Sequence, residues 1–299
     1  MSDPYVIETT ELRKSYPDVD ALRGLTLQVP AGSICGFLGR NGAGKTTAIK
    51  VLLGMARATS GEARVFGLSA GAAADSVDIR RRTGFAGEDK GLPDYMTVDE
   101  VIRFTAHFYP RWRPDLESRY LQRFDLPRGR KVKTLSKGMR SKLALLLAFC
   151  RGAELLMLDE PTSGLDPVVT EEVLQALVSH VASEPLTVFF SSHQIGEVEQ
   201  IGDHVVIIDK GRTLASGPLD ELRERYRRVQ LVFEGDAPAA PLRGAGVLRQ
   251  HSKGRVLTIV STNGAEPVID EARALNPVSI DVTPLTLKEI FLESVSGEN

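Results

Sequence analysis

Short apolar runs alternate along the chain with stretches of helical period, a pattern that predicts layered α/β structure. "SICGFLG" (Ser33–Gly39) reads as a buried strand running into a Gly-rich turn, and "KTTAIKVLLG" continues as a helix closed by Gly54. "ELLMLDEP" is a second buried strand ending in acids, and "TVFFSSH" a third ending at His193. All three carry polar groups at their C-terminal ends, where open α/β sheets bind ligands. Between them, Thr97 and Glu100 form a capping box, and Val98, Val101, Ile102, Thr105 and Phe108 follow at helical spacing. A further helix, "DLESRYLQRFDL", follows Pro114, and "VVIIDKGRTLASG" reads as strand–turn–strand around Lys210-Gly211.

After Gly217 the character changes. A charged helix, Pro218–Arg228, leads to the strands "RVQLVFEG" and "GRVLTIVS", with Pro/Ala/Gly-rich "GDAPAAPLRGAG" between them. A helix (Glu266–Leu275), a strand (Val278–Val282) and a last helix (Leu287–Val295) complete a small α+β appendage. The expected domains are therefore 1–217 and 218–299.

Composition changes this picture little. With 42% hydrophobic and 25% charged residues over 299 positions, the chain is ordinary globular material for one large and one small domain. A net charge of −2 offers no general attraction to nucleic acid, which is not expected as a partner. Cys35 and Cys150 lie in apolar surroundings without a C-x-x-C partner, as small buried hydrophobes of a reducing compartment do. The longest apolar run, Leu143–Cys150, is too short to cross a bilayer, and the N-terminal residues lack a signal pattern. The chain is thus expected in the cytoplasm, or at a membrane only through something else. Charge is uneven in one place: Arg128 to Lys142 holds seven basic residues and no acid.

The chemistry begins at "GRNGAGKTT". It fits the phosphate-loop pattern G-x-x-x-x-G-K-[ST] and sits between a predicted strand and a predicted helix. Gly39, Gly42 and Gly44, with Arg40, Asn41 and Ala43 between them, let backbone N–H groups wrap phosphates. Lys45 supplies a point charge, Thr46 a hydroxyl for Mg²⁺, and Thr47 a further donor. Asp159, at the tip of "LLMLD", can hold the metal through water, and Glu160 can polarise an attacking water. No N-K-x-D guanine motif is present, which excludes a GTPase. "LSKGM" (Leu135–Met139) is a second anion-friendly helix start, with Ser136 as natural N-cap and Gly138 baring the backbone.

Taken in order, "GRNGAGKTT", "LSKGM", "LLMLDEP", "SGLD" and "SSH" make residues 5 to about 217 resemble the ATP-binding cassette ATPases. The layout resembles separate-subunit bacterial drug- and antibiotic-export ATPases. That resemblance implies a mixed sheet core with an antiparallel β subdomain and a helical subdomain at about 89–150, followed by the small C-terminal α+β domain. It implies an ATPase, with ATP and Mg²⁺, that drives transport, in the export direction, through a permease encoded separately. It further implies a second ATPase subunit, identical or paralogous, and a place on the inner face of the membrane through the permease.

The resemblance also assigns roles. Ser136, Lys137, Gly138 and Met139 would face the nucleotide of the partner subunit, and Asp166 would cross the dimer interface, with Pro167 opening the next helix. Tyr16 would stack on adenine, or be a core tyrosine on a strand. His193 would hold the attacking water against Glu160. His107, His180, His204 and His251 match no motif.

Three positions depart from the family pattern. Glu88 stands where glutamine is usual, and is either a metal-side ligand or a solvated loop acid. The signature reads "LSKGM", with Lys137 an added charge. "RFTAHFYPRWRP" (Arg103–Pro114) is rich in aromatics and arginines, either as a docking surface for the membrane partner or as a packed corner around Trp112. A soluble cassette acting on ribosomes or DNA would carry two cassettes or long coiled coils; this chain has one "GKTT" and no sustained heptads. A regulatory module without turnover is argued against by Asp159, Glu160 and His193.

Overall fold

The computed structural model describes residues 5–89, 91–238, 242 and 246–296. It divides into two compact units, Met1–Thr213 and Leu214–Asn299. In chain order the first unit runs β1 (Tyr5–Tyr16), β2 (Val19–Pro30), β3 (Ile34–Gly39), α1 (Lys45–Leu52), β4 (Ser60–Val65), β5 (Leu68–Ser69), α2 (Ala73–Arg82) and β6 (Thr83–Ala86). It continues with α3 (Val98–Ala106), α4 (Pro114–Arg123), α5 (Lys137–Phe149), β7 (Leu155–Asp159), α6 (Pro167–Ser183), β8 (Thr187–Ser192), α7 (Ile195–Ile201) and β9 (His204–Asp209). The boundary falls inside β10 (Arg212–Pro218).

The central sheet has the order β10-β9-β3-β8-β7-β6, with β9, β3, β8, β7 and β6 mutually parallel. Strands β3, β7 and β8 are buried at every position, which is why their sequences are continuous apolar runs rather than alternating ones. A second, antiparallel sheet, β2-β1-β4-β5, packs over α1 and the first. Its inward residues Leu25, Leu27 and Val29 join Ile49 and Leu52 of α1 and Phe37 and Phe189 of the central sheet in one core. Each such side chain contributes about 1.5–3 kcal/mol by leaving water. The architecture is the mixed α/β one expected.

Helix starts follow their caps. Thr97 and Glu100 close a reciprocal capping box on α3, and Pro114 opens α4. Helix α3 ends at Ala106, however, so Phe108 lies beyond it and 62% exposed instead of continuing the buried stripe. The β9–β10 turn places Lys210 and Gly211 at φ 46° and 76°, the pair of left-handed residues a tight hairpin needs.

The second unit adds α8 (Leu219–Arg225), β11 (Arg227–Val232), β12 (Val247–Lys253), β13 (Val256–Ser261), α9 (Glu266–Arg273), β14 (Ser279–Pro284) and α10 (Leu287–Ser296). Its sheet, β12-β13-β11-β14, packs Val229, Leu231, Leu257 and Ile259 against Val268 and Ala272 of α9. The charged helix stops at Arg225, three residues short of Arg228, because Val229 and Leu231 are needed on one face of β11. Strand β12 was not anticipated. The Pro/Ala/Gly-rich stretch before it falls partly outside the described residues.

Candidate functional site

The phosphate-type loop sits between β3 and α1, at the C-terminal ends of the parallel strands. Gly44 is at φ +108°, and a Cβ there would stand 2.6 Å from the carbonyl oxygen of Ala21. Only glycine fits that corner. Gly42 is also left-handed (φ +81°), with open space where a side chain would be, and it borders the cavity. Gly39 closes the strand against Ile208, and Ala43 donates its N–H to the carbonyl of Arg40 at 3.1 Å.

These residues open onto a cavity of about 640 Å³. Arg40, Asn41, Gly42, Gly44, Lys45, Thr46, Thr47, Glu88, Glu160 and His193 all line it. Ser163, Lys210 and the residues Val19, Asp20, Ala21 and Arg23 at the start of β2 complete the wall. The sequence had marked Lys210 only as a turn residue and the β2 residues not at all.

Three ionisable side chains meet in this cavity. The ammonium of Lys45, almost fully buried, donates to the carbonyls of Gly39 (2.6 Å) and Arg40 (3.2 Å), and lies 3.1 Å from Glu160 Oε1. Among the described residues Glu160 Oε1 has no hydrogen-bond partner, so its link to Lys45 is an ion pair and not an aligned hydrogen bond. The other carboxylate oxygen, Oε2, is 2.8 Å from His193 Nδ1. His193 is 39% exposed at its side chain, while Glu160 is 8% exposed. Glu160 has φ +49°, a left-handed conformation that costs a non-glycine residue about 1–3 kcal/mol and that packing must hold.

Ser191 is what holds it. Its hydroxyl donates to Asp159 Oδ1 at 2.6 Å and accepts the backbone N–H of Glu160 at 2.9 Å. In the sheet register Asp159 lies directly beside Ser191. The only sequence signal for this residue was the polar end of "TVFFSSH".

The signature residues stand elsewhere. Ser136 caps α5, accepting the N–H of Met139 at 3.2 Å, and is itself exposed. Gly138 fits against Val169, and the Lys137 ammonium lies over Gly164 in the turn after Glu160. None of Ser136, Lys137, Gly138 and Met139 lines the cavity that holds Lys45. Lys137 borders a neighbouring cavity of about 430 Å³, together with Glu88, Asp89, Asp94 and Arg140. Glu88 therefore faces both. Asp166 Oδ1 accepts the N–H groups of Val168 and Val169 and so caps α6.

Tyr16 is 41% exposed, with the Lys14 ammonium 4.7 Å from its ring centre; its strand partner Val19, but not Tyr16 itself, lines the cavity. The basic run is partly neutralised within the chain: Arg128 pairs with Asp99 and Glu117, Arg140 with Asp94, and Lys142 with Glu172. In the aromatic–arginine stretch, Trp112 Nε1 donates to Glu117 and Arg113 chelates Asp115 and Glu184, the arrangement of a packed corner. Phe104 and Phe108, 5.1 Å apart edge to face, stay more than half exposed.

One histidine and both cysteines are structural. His180 is buried, stacked 4.2 Å on Phe149 and 3.2 Å from the Tyr120 hydroxyl; burial lowers its pKa to about 4. Burial raises the thiol pKa of Cys35 and Cys150, so both remain protonated, and neither forms a disulfide.

Comparison with known proteins agrees with this geometry. The profile of the ABC transporter family matches residues 22–163. The bacitracin transport ATP-binding protein BcrA of Bacillus licheniformis is 37% identical over 96% of this chain and 95% of its own. A daunorubicin resistance ATP-binding protein of Streptomyces coeruleorubidus is 32% identical over 94% of this chain and 92% of its own. Among solved structures, a dimeric ATP-binding cassette in a post-hydrolysis state with ADP and Pi superimposes with a TM-score of 0.65. It is 20% identical and covers 71% of this chain and 98% of that one, a likeness of fold.

Proposed function

The chain belongs to the ABC transporter family, and from that premise we propose that it is the ATP-hydrolysing subunit of an exporter whose membrane permease is a separate polypeptide. The observation that carries this reading is the run Lys45–Glu160–His193, its first two members buried, with contacts of 3.1 and 2.8 Å beside a glycine-built phosphate loop. The 1–217 segment is then the nucleotide-binding domain, with its helical subdomain at about 89–150, and 218–299 an accessory domain.

The chemistry follows from what these side chains exchange. Backbone N–H groups of residues 39–44, with Thr47, wrap the phosphates of ATP. A phosphate oxygen arriving in the loop competes with Glu160 for Lys45. As the ammonium turns to the phosphate, the Glu160 carboxylate loses its cation and becomes a stronger base for a water aimed at the γ-phosphate. His193, fixed on Glu160 through Nδ1, retains Nε2 for the phosphate side, and Ser191 keeps Glu160 in its left-handed backbone conformation. Thr46, Asp159 and Glu88 offer only hard oxygen donors. Among the described residues no group of three or more His, Cys, Asp or Glu could hold a metal alone. That set suits Mg²⁺ shared with the nucleotide and its waters, which when bound neutralises charge on the phosphates.

The loop contacts one side of a nucleotide. In this reading the exposed signature start, Ser136 and Gly138 with Lys137 and Met139, supplies donors to the other side of the nucleotide in a second subunit, with Asp166 and its loop at the contact. Tyr16 flanks the adenine end. Export is favoured because the relatives are named for bacitracin transport and daunorubicin resistance. No helix among the described residues is long and apolar enough to cross a membrane, so attachment to the inner face of the membrane runs through the permease. The exposed Phe104–Phe108 pair is the docking surface on this side. The test is purification from membranes of cells making a tagged chain. A multi-spanning protein should co-purify and the complex should release phosphate from ATP; a chain that neither hydrolyses ATP nor retains a membrane partner would overturn the reading.

A further inference from the structure

Among the described residues no ion pair accounts for the buried carboxylate of Glu197. It is 5% exposed; one oxygen, Oε1, has no hydrogen-bond partner among those residues, and the other, Oε2, accepts from the Ser192 hydroxyl at 2.7 Å. Holding a carboxylate out of water costs several kcal/mol. Such a residue is expected to hold something in place.

What it holds is the backbone around His193. Ser192, with no exposed surface, accepts the N–H of Gln194 on the same oxygen at 2.9 Å. The two bonds bracket residue 193 from both sides. Consecutive side chains on a strand point to opposite faces, so Ser191 and Ser192 divide the work. Ser191 fixes Asp159 and Glu160, while Ser192 reaches the other way to Glu197. The next residue, His193, then meets Glu160 Oε2 at 2.8 Å. Close packing of Val198 on Gly36, where a Cβ would stand 2.5 Å from the valine, ties the helix carrying Glu197 to β3, the strand that leads into the phosphate loop.

We propose that Glu197 is a positioning residue: through Ser192 it clamps the turn that aims His193 at Glu160 and the γ-phosphate. This rests on the reading of the chain as an ATPase. Only one carboxylate oxygen is engaged, so an amide oxygen can replace it, and Glu197→Gln is the conservative rescue.

The experiment uses the full chain carrying Glu197→Ala, Glu197→Gln or Ser192→Ala. It reads ATP hydrolysis kinetics and the ring signals of ¹⁵N-labelled histidine, with His193 assigned by its loss in His193→Asn. Glu197→Ala and Ser192→Ala should lower kcat by about tenfold or more while KM stays within about twofold, as misplacement of a catalytic group does. Both should move the His193 signal; Glu197→Gln should retain over about half of kcat and the native signal. The proposal is overturned if kcat and the His193 signal are unchanged in both alanine variants, or if Glu197→Gln falls as far as Glu197→Ala. Should Glu197→Ala not fold, Ser192→Ala and Glu197→Gln decide alone. If the unsubstituted chain fails to hydrolyse ATP, the proposed function fails, and the ring signals still decide the clamp.

Discussion

Glu160→Gln separates the two things Glu160 does. As written, the carboxylate is both the base for hydrolysis and the counter-ion of Lys45, 3.1 Å away with both side chains under a tenth exposed. At an effective dielectric of about 20, that spacing corresponds to about 5 kcal/mol of attraction. Most of it is offset by the cost of keeping both charges out of water. A net preference of about 1–2 kcal/mol for Lys45 to stay on Glu160 is a reasonable remainder, and ATP must overcome it. Glutamine removes the charge and keeps the shape. Hydrolysis should fall by about 10²–10⁴, while ATP should bind about 5–30-fold more tightly, because Lys45 is already available to the phosphate. Phosphate release measures the first and titration calorimetry the second. A variant that turns over at the normal rate refutes the base; one that binds ATP more weakly than the unsubstituted chain refutes the competition for Lys45.

Three further outcomes follow. Gly44→Ala must push a Cβ to within 2.6 Å of the Ala21 carbonyl at φ +108°; thermal unfolding should show a loss of about 1–3 kcal/mol, and nucleotide affinity should drop with it. His180, with its pKa lowered to about 4 by burial, is neutral when folded, whereas the unfolded chain protonates it below about 6.5. Its contribution is therefore complete above pH 6.5 and declines as pH falls toward 4, by about 3 kcal/mol in all; urea midpoints against pH should show this slope in the native chain and a shallower one in His180→Phe. Glu88→Gln should lower the Mg²⁺ concentration for half-maximal ATPase activity, since one carboxylate fewer faces the phosphates; an unchanged Mg²⁺ curve would make Glu88 a loop acid.

The parts of the fold visible in the sequence were those set locally. The strand–loop–helix at Lys45, the capping box at Thr97, the cap at Ser136 and the helix start at Pro167 depend on residues a few positions apart, and all four stand as read. Strand β12 escaped because it is an edge strand with mostly exposed or half-exposed positions, so it has no alternation to betray it. The start of β2 contributes to the site through Val19, Asp20, Ala21 and Arg23, which carry no motif and reach the cavity only because the antiparallel sheet places them there. The contacts of Ser191 and Glu197 were invisible for a related reason. Their partners are fixed by the pairing of β7 with β8 and by the helix that follows, relations of tertiary structure rather than of spacing. Tyr16 illustrates the converse: the motif pointed to it, and the strand carries it to the neighbourhood of the cavity without making it part of the wall.

In the proposed mechanism the reaction centre is completed by a second subunit, with Lys45 of one and Ser136 and Gly138 of the other. Mixing two inactive variants tests it most directly. Lys45→Ala retains a sound signature, and Gly138→Asp retains a sound phosphate loop, so a mixed dimer contains one whole site. ATPase activity should be near zero for each variant alone and should return, to roughly a quarter of the native rate or less, on mixing. A Gly138→Asp chain that hydrolyses ATP normally by itself, or a mixture as inactive as its components, would contradict the claim.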